Sequence, residues 1–354
     1  MNAAFWAGRR VFITGHTGFK GGWLALWLTE LGATVSGYAL QPPTDPNLFT
    51  LTRLDQRLAD HRLQDVRDAD ALACALAANA PEVVFHLAAQ PLVRDSYRSP
   101  VETYAINVMG TVNLLEAVRH CASVRSVVVV TSDKCYGNQE WVWPYRETDA
   151  LGGHDPYASS KGCAELVTAT YRHSFLAAAG IQVASARAGN VIGGGDWGTD
   201  RLIPDFFRAL VAGQAVSIRS PQAIRPWQHV LEPLSGYLLL AEHLHRQCDA
   251  CAEAWNFGPA ETDARAVSWI MDYLCAKTPG AFWKQDLAPQ PHETAILKVD
   301  STKATNRLGW QRRWGLDAAL DRTLAWHHAW RQGQDMQRVS LAQIRDYHAI
   351  TIEP

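Results

Sequence analysis

Three polar residues in succession, Ser132, Asp133 and Lys134, follow residues 124–130, the most apolar of the strand-like stretches in the chain. Residues 124–130 predict a buried strand, and groups that transfer protons are often placed where such a strand ends. A plain turn would also be polar. A hydroxyl, a carboxyl and an amine in a row nevertheless favour a catalytic site over a turn.

A tyrosine and a lysine follow at the start of a predicted helix. Pro156 suits the first turn of a helix, and Asp155 can cap its amino end. Tyr157 and Lys161 then lie four residues apart, on one face of the helix. Such a pair is often only part of an amphipathic surface, but its position after a serine-bearing strand end favours a functional role.

A glycine-rich turn stands near the start of the chain. Gly15, Gly18 and Gly21 lie between an apolar stretch at 11–13 and a helical pattern over 22–31. A strand, a tight glycine turn and a helix amino terminus can bind a pyrophosphate, because bare backbone and free N–H groups face it. The G-x-x-G-x-x-G spacing is typical of short-chain dehydrogenases, although glycines at this spacing also occur by chance.

Alternating strands and helices must position these groups. Strands are predicted over 33–40, 81–89, 124–130 and 181–186, with helices over 69–79, 101–120 and 158–179. Strands that alternate with long helices indicate βαβ units. We therefore predict an α/β fold, with a Rossmann-type doubly wound parallel sheet and a smaller C-terminal substrate-binding part.

The alternation fades near residue 190. We predict an NAD-binding Rossmann domain over 1–190 and a substrate-binding part over 191–354 that is partly interleaved with it. Segments 189–192 and 254–257 are expected to return to the first sheet as strands. An amphipathic helix over 316–331 closes the fold.

Composition excludes several classes of function. A net charge of −2 with mixed charges gives no basic face for nucleic acid. No apolar run approaches the roughly 18 residues of a membrane helix, and no signal peptide opens the chain, so a soluble cytoplasmic protein is expected. The seven cysteines indicate no disulfide framework, and the single Cys248-x-x-Cys251 pair is not expected to bind metal.

Four motifs resemble the CDP-glucose 4,6-dehydratases, a group within the extended short-chain dehydrogenase/reductases of the NAD-dependent epimerase/dehydratase family. They are Gly15-His-Thr-Gly-Phe-Lys-Gly21, Thr131-Ser-Asp-Lys-Cys-Tyr136, Gly152-Gly-His-Asp-Pro-Tyr157 and Arg225-Pro-Trp-Gln-His-Val230. The resemblance extends from about residue 9 to residue 330. The first, second and fourth motifs are fairly specific, whereas the Tyr157/Lys161 pair is shared across the superfamily.

The resemblance implies a set of site residues, with no metal among the ligands. The catalytic residues would be Ser132, Asp133, Lys134, Tyr157 and Lys161. A tightly bound NAD would contact Gly15, Thr17, Gly18, Phe19, Lys20, Gly21, Asp65, Val66, Leu87, Ala88, Ala89, Gln90, Asn107, Thr131, Tyr157 and Lys161. A nucleotide-sugar substrate, CDP-glucose, would contact Asn190, Arg201, Arg219, Arg225 and His229. The arginines suit its diphosphate because a guanidinium binds phosphate oxygens in pairs.

The implied reaction is an internal oxidation, elimination and reduction on the sugar. Tyr157, whose pKa the Lys161 ammonium and the nicotinamide ring would lower, takes the proton of the 4-hydroxyl while Ser132 holds that oxygen. Asp133 then protonates the departing 6-hydroxyl and Lys134 assists at C5, and NAD is regenerated within each cycle.

Other functions stay open. The chain could be another sugar-nucleotide 4,6-dehydratase, a 4-epimerase, or a non-catalytic dinucleotide-sensing module. The second predicted strand has no carboxylate near its end, so it does not decide NAD against NADP. The base of the nucleotide is not determined either.

A homodimer through a four-helix bundle of residues 101–120 and 158–179 is expected.

Overall fold

The computed structural model describes residues 2–288 and 294–350. Its strands are β1 (Arg10–Thr14), β2 (Thr34–Ala39), β3 (Asp60–Leu63), β4 (Val83–His86), β5 (Ser126–Val130), β6 (Gln182–Arg187), β7 (Val191–Ile192), β8 (Val216–Ile218), β9 (Ile224–Pro226), β10 (Gln228–His229), β11 (Ala254–Asn256), β12 (Ala264–Ala266) and β13 (Trp283–Gln285). Seven of them form one parallel sheet in the order β11-β6-β5-β4-β1-β2-β3. This sheet confirms the predicted fold class.

Helices cover both faces of the sheet and form much of the smaller C-terminal part. They are α1 (Ala3–Trp6), α2 (Phe19–Glu30), α3 (Leu48–Leu51), α4 (Ala69–Asn79), α5 (Val93–Arg98), α6 (Pro100–Tyr104), α7 (Gly110–Arg119), α8 (Pro156–Tyr171), α9 (Leu202–Ala212), α10 (Leu231–His245), α11 (Val267–Lys277), α12 (Leu316–Arg331) and α13 (Met336–Ala349). Short π-helical segments, Ala105–Met109 and Arg172–Leu176, join α6 to α7 and extend α8. The two long helices predicted over 101–120 and 158–179 are therefore present, each with a π-helical turn.

Successive side chains of a strand point to opposite faces of the sheet, so each face has its own apolar cluster. In β5, Val128 and Val130 belong to one apolar cluster, whereas Val127 and Val129 belong to another. The first cluster includes residues of α2 and α10, and the second includes residues of α4 and α7. Strands that are buried on both faces must be apolar throughout, which is why they were recognisable in the sequence.

The chain after residue 190 is only partly separate. Strand β11 lies at the edge of the main sheet, which confirms the strand predicted over 254–257. The strand predicted over 189–192 is wrong in its partner, because β7 pairs with β10 in a separate two-stranded sheet. A third apolar cluster of residues from α9, α11 and α12 forms the core of this smaller part.

Two composition-based expectations have outcomes in the structure. Cys248 and Cys251 form a disulfide that was not predicted, and the other five cysteines are free, so the cysteines form no larger disulfide framework. Within residues 2–288 and 294–350, no helix is long and apolar enough to cross a membrane.

Candidate active site

The glycine turn after β1 accepts no side chain at two positions. Gly15 has a φ of +81°, and a Cβ there would lie 2.7 Å from the backbone nitrogen of Ala88. A Cβ on Gly21 would lie 2.1 Å from the carbonyl oxygen of Gly15. Only glycine fits at both positions, because the backbone of the turn packs directly against the backbone of α2 and of the residues after β4.

Helix α2, which follows this turn, begins at Phe19, earlier than the predicted start near residue 22. Gly18 is its N-cap residue and supplies no side-chain cap. The N–H groups of the first turn are therefore available to an anion, and the positive end of the helix dipole favours one. This turn fits the pyrophosphate of a dinucleotide.

A cavity of about 1040 Å³ extends from this turn along the carboxyl ends of the strands to the smaller C-terminal part. The crevice at the strand ends is the usual ligand site of open α/β sheets. Most of the predicted site residues line the cavity: Gly15, Thr17, Gly18, Phe19, Lys20, Gly21, Asp65, Val66, Leu87, Ala88, Ala89, Thr131, Ser132, Asp133, Lys134, Tyr157, Lys161, Asn190, Arg201, Arg219 and Arg225.

A buried carboxyl group stands at the end of β5. The hydroxyl of Ser132 accepts a hydrogen bond from the N–H of Lys134 and donates one to Oδ1 of Asp133, at 3.2 and 3.1 Å. Asp133 is only 3% exposed, and its Oδ2 has no hydrogen-bond partner in the described part of the chain. Burial raises the pKa of Asp133, against the opposing charges of Lys134 and Arg225. This carboxyl group is suited to donating a proton.

The space around Oδ2 of Asp133 depends on another glycine. A Cβ on Gly189 would lie 2.7 Å from this oxygen and 2.4 Å from Cγ of Pro226. Gly189 follows β6, so neighbouring strand ends shape the pocket of the acid.

Tyr157 and Lys161 lie on one face of α8, as the sequence predicts. Asp155 caps this helix by accepting a hydrogen bond from the N–H of Ala158 at 2.8 Å, and Pro156 stands in its first turn. Ser132 acts on the phenol of Tyr157 and lowers its pKa, which places the two side chains near each other. The ammonium of Lys161 donates to the carbonyl oxygen of Val130 at 3.4 Å. The structure therefore joins the strand end and the helix in one cluster.

In the protein alone, burial raises the pKa of Tyr157 to about 12 and outweighs the lowering effects of Ser132 and Arg201. The predicted lowering includes the positive charge of a bound nicotinamide, so it stays a prediction. Burial also lowers the pKa of Lys161 to about 8, although the charge of Glu165 acts in the opposite direction. Both groups are therefore held closer to their neutral forms than they would be in water.

A buried ion pair lies next to Lys161 and stabilises this cluster. The sequence analysis did not predict it. Arg187, at the end of β6, donates to both carboxylate oxygens of Glu165 at 3.0 and 2.9 Å. Glu165 also accepts from the hydroxyls of Thr131 and Ser185. Its position one helical turn after Lys161 was the available signal. The hydroxyl of Thr131, predicted to contact the cofactor, is directed to this pair.

Lys20 and Tyr237 form a second polar contact at the cavity. The ammonium of Lys20 donates to the hydroxyl of Tyr237 at 3.2 Å. Burial, together with the nearby charge of Lys161, lowers the pKa of Lys20 to about 7. Tyr237 belongs to the long apolar helix α10, and its sequence gave no sign that its hydroxyl would approach the site.

The predicted substrate arginines approach the cavity from the smaller part. Arg201 pairs with Asp196 at 2.9 Å, and Arg219 pairs with Asp200 at 3.2 Å. Arg225 is 9% exposed and donates to the carbonyl oxygen of Ile224 at 2.9 Å. Its charge opposes the effect of burial on the pKa of Asp133.

Three predicted site residues do not line the cavity: Gln90, Asn107 and His229. The amide of Asn107 accepts from the N–H of Gln90 at 2.8 Å and donates to the hydroxyl of Ser160 at 2.9 Å. Asn107 therefore ties the loop after β4 to α8. His229 is fully buried between Trp23 and Trp314, with its pKa lowered to about 3 by burial. Hydrogen bonds hold Gln90 and Asn107 outside the cavity lining, and aromatic packing does so for His229.

Known proteins resemble this chain along nearly its whole length. The family model of GDP-mannose 4,6 dehydratase matches residues 12–323. The CDP-glucose 4,6-dehydratase of Salmonella typhimurium is 53% identical over 353 residues, which are 98% of either chain.

Solved structures have the same fold. An epimerase of Methanothermobacter thermautotrophicus is 22% identical with a TM-score of 0.79, over 93% of this chain and 95% of that one. MoeE5, in complex with UDP-glucuronic acid and NAD, is 25% identical with a TM-score of 0.75, over 90% of this chain and 98% of that one.

Proposed function

The chain belongs to the GDP-mannose 4,6-dehydratase family, and from this premise we propose that it converts CDP-glucose to CDP-4-keto-6-deoxyglucose with loss of water. It is an NAD-dependent hydro-lyase. The observation that carries this function is the buried carboxyl group of Asp133 beside Ser132 and Tyr157. A 4-epimerase inverts the configuration at C4 and needs no acid for a leaving hydroxyl. A dehydratase needs such an acid, because the 6-hydroxyl must leave as water.

NAD fits the cavity. The backbone of the glycine turn and the first turn of α2 would hold its pyrophosphate, and Leu87, Ala88 and Ala89 leave room beside β4. When bound, the nicotinamide supplies reversible two-electron oxidation, and its positive charge favours the phenolate of Tyr157.

Tyr157 and Ser132 act on the sugar 4-hydroxyl in this proposal. Tyr157 accepts the proton of that hydroxyl, and Ser132, near the phenol, holds the same oxygen. Lys161 stabilises the phenolate from the next turn of α8. Glu165 favours the charged form of Lys161, since its carboxylate raises the pKa of that ammonium.

Asp133 and Lys134 act on the other half of the sugar ring. The 4-ketone makes the C5 proton acidic, and Lys134 assists its removal. Asp133 donates a proton to the 6-hydroxyl, which leaves as water. The raised pKa of Asp133 supports this role, because a carboxyl group that ionised readily would not retain the proton.

The diphosphate would lie against the arginines of the smaller part. Arg201, Arg219 and Arg225 line the same cavity as Asn190. Guanidinium groups bind phosphate oxygens in pairs, and their positive charge favours the two negative charges of a nucleotide-sugar diphosphate.

We also propose a homodimer. The helices predicted to form its interface carry exposed apolar side chains, among them Val101 at 81%, Met109 at 50% and Leu166 at 58% exposure. Pairing the α6–α7 and α8 helices with those of a second copy would bury these side chains in a four-helix bundle.

The proposed function is tested by incubating the protein with NAD and, in separate reactions, CDP-, UDP-, dTDP- and GDP-glucose. A 4-keto sugar develops an absorbance in alkali, and mass spectrometry detects the loss of one water. Product is expected with CDP-glucose. Product from a different nucleotide alone would assign the protein to another dehydratase, and a 4-epimer without loss of water would contradict the proposal.

A further inference from the structure

A cluster of metal-binding side chains lies at the carboxyl end of α10, away from the cavity. His243, Cys248 and Cys251 each offer one ligand atom, and these atoms all lie within 4.8 Å of one another. None of the three lines the active-site cavity. The reaction proposed above makes no use of them.

The chain is folded back to build this cluster. Gln247 has a φ of +57°, a left-handed conformation that is costly for a residue with a side chain. It turns the chain after α10, so that the N–H of Cys248 donates to the carbonyl oxygen of His243 at 3.3 Å. The N–H of Cys251 then donates to the carbonyl oxygen of Cys248 at 2.8 Å. Both sulfurs are thereby held beside the imidazole.

The imidazole of His243 can bind a metal ion through the lone pair of one ring nitrogen. Its ligand nitrogen and both sulfurs lie within 4.8 Å of one another. The fold therefore brings the three ligand atoms together.

We propose that His243, Cys248 and Cys251 bind one Zn²⁺ ion when the Cys248–Cys251 disulfide is reduced. Tetrahedral Zn²⁺ with Zn–S bonds of about 2.3 Å and Zn–N bonds of about 2.0 Å places its ligand atoms about 3.5–3.8 Å apart. The span of the cluster, within 4.8 Å, accommodates such a site with small side-chain movements. Three protein ligands leave the fourth position to water.

The disulfide and the metal site are alternative states of the same sulfurs. A dithiol reductant gives two electrons and two protons to the disulfide and is itself oxidised to a disulfide. Binding of Zn²⁺ then releases the two thiol protons to solvent, because the thiolates are the ligands. Oxidation of the pair removes two of the three ligands, so the site is sensitive to redox conditions.

The site connects α10 to the edge of the main sheet. The indole N–H of Trp255, in β11, donates to the carbonyl oxygen of Cys251 at 2.8 Å. The side-chain amide of Gln182, in β6, donates to Asp249 at 2.7 Å. A ligand that binds only the folded chain stabilises it, so Zn²⁺ should stabilise this edge.

The experiment uses the full chain, reduced with a phosphine, desalted without oxygen and titrated with Co²⁺ and Zn²⁺. One equivalent of Co²⁺ should give thiolate-to-cobalt charge-transfer bands and tetrahedral d–d bands that one equivalent of Zn²⁺ removes. Cys74→Ser, at an exposed thiol elsewhere, should bind like the wild type. Loss of a residue that only hydrogen-bonds to a metal ligand typically weakens metal binding roughly 10–100-fold, and His243→Ala should weaken it by more than this. Cys248→Ser should abolish the charge-transfer bands.

Circular dichroism of each apo variant checks that it is folded. Should Cys248→Ser fail to fold, the oxidised wild type replaces it and should bind no cobalt. No metal on the reduced wild type would overturn the proposal. Equal affinity in wild type and His243→Ala would also overturn it, since thiols alone would then account for binding.

Discussion

Asp133→Asn should separate the two halves of the reaction. Asparagine has nearly the same shape and can still accept the hydrogen bond that Ser132 donates to Oδ1 at 3.1 Å. Its amide nitrogen replaces Oδ2 without adding heavy atoms, so the space that Gly189 leaves beside this position still holds it. What the variant loses is the acidic proton. Oxidation at C4 depends on Tyr157 and Lys161 and should still proceed.

The size of the effect follows from the burial of Asp133. Losing a positioned acid costs about 10²–10⁴ in rate, which is about 2.7–5.4 kcal/mol on the barrier. Asp133 is 3% exposed, so solvent is poorly placed to supply the missing proton. We therefore expect a loss near the upper end, about 10³–10⁴ in kcat.

Single-turnover mixing with CDP-glucose and NAD measures this directly. Asp133→Asn should accumulate reduced nicotinamide, seen as a rise in its absorbance band, because the 4-keto sugar forms but does not lose water. Tyr157→Phe should show no rise, since no oxidation occurs. Asp155→Asn is the matched control: it lies at the same cavity and caps α8, and asparagine caps a helix as well as aspartate does. Wild-type turnover by Asp133→Asn would refute the elimination role.

Three further outcomes are expected. Arg225→Lys should raise KM with little change in kcat, because an ammonium cannot make the paired hydrogen bonds of a guanidinium; steady-state kinetics with an unchanged KM would make Arg225 a structural residue. His86, His229 and His327 are buried with their pKa values lowered to about 3. Because each folded-state pKa lies below the unfolded value of about 6.5, stability should fall as pH falls below 6.5, by about 2 kcal/mol per histidine at pH 5, and urea melts of His327→Leu should show a shallower pH dependence. Light scattering at micromolar concentration should give a dimer mass for the wild type and a monomer mass for Leu166→Glu, whereas a wild-type monomer would contradict the interface on α8.

Features built from neighbouring residues were predictable from the sequence. The glycine turn, the Asp155–Pro156 helix start and the Tyr157/Lys161 face each depend on a few consecutive residues, and the structure contains all three. The buried strands were recognisable because both of their faces are apolar.

Contacts between distant parts of the chain were not predictable in this way. Glu165 and Arg187 form their ion pair across 22 residues, and Tyr237 approaches Lys20 across 217. His229 lies within a motif that suggested substrate contact, yet its neighbours in space are tryptophans from both ends of the chain. The raised pKa of Tyr157 has the same origin, because burial depends on the whole fold and outweighs the local charges.

Isotope transfer tests the central claim most directly. In the proposed reaction the hydrogen removed from C4 of the sugar returns to C6 of the same molecule. With CDP-glucose deuterated at C4, proton and deuterium NMR of the product should find the deuterium at C6, with none released to water. Deuterium that remained at C4 in a hexose retaining its 6-hydroxyl would contradict the account.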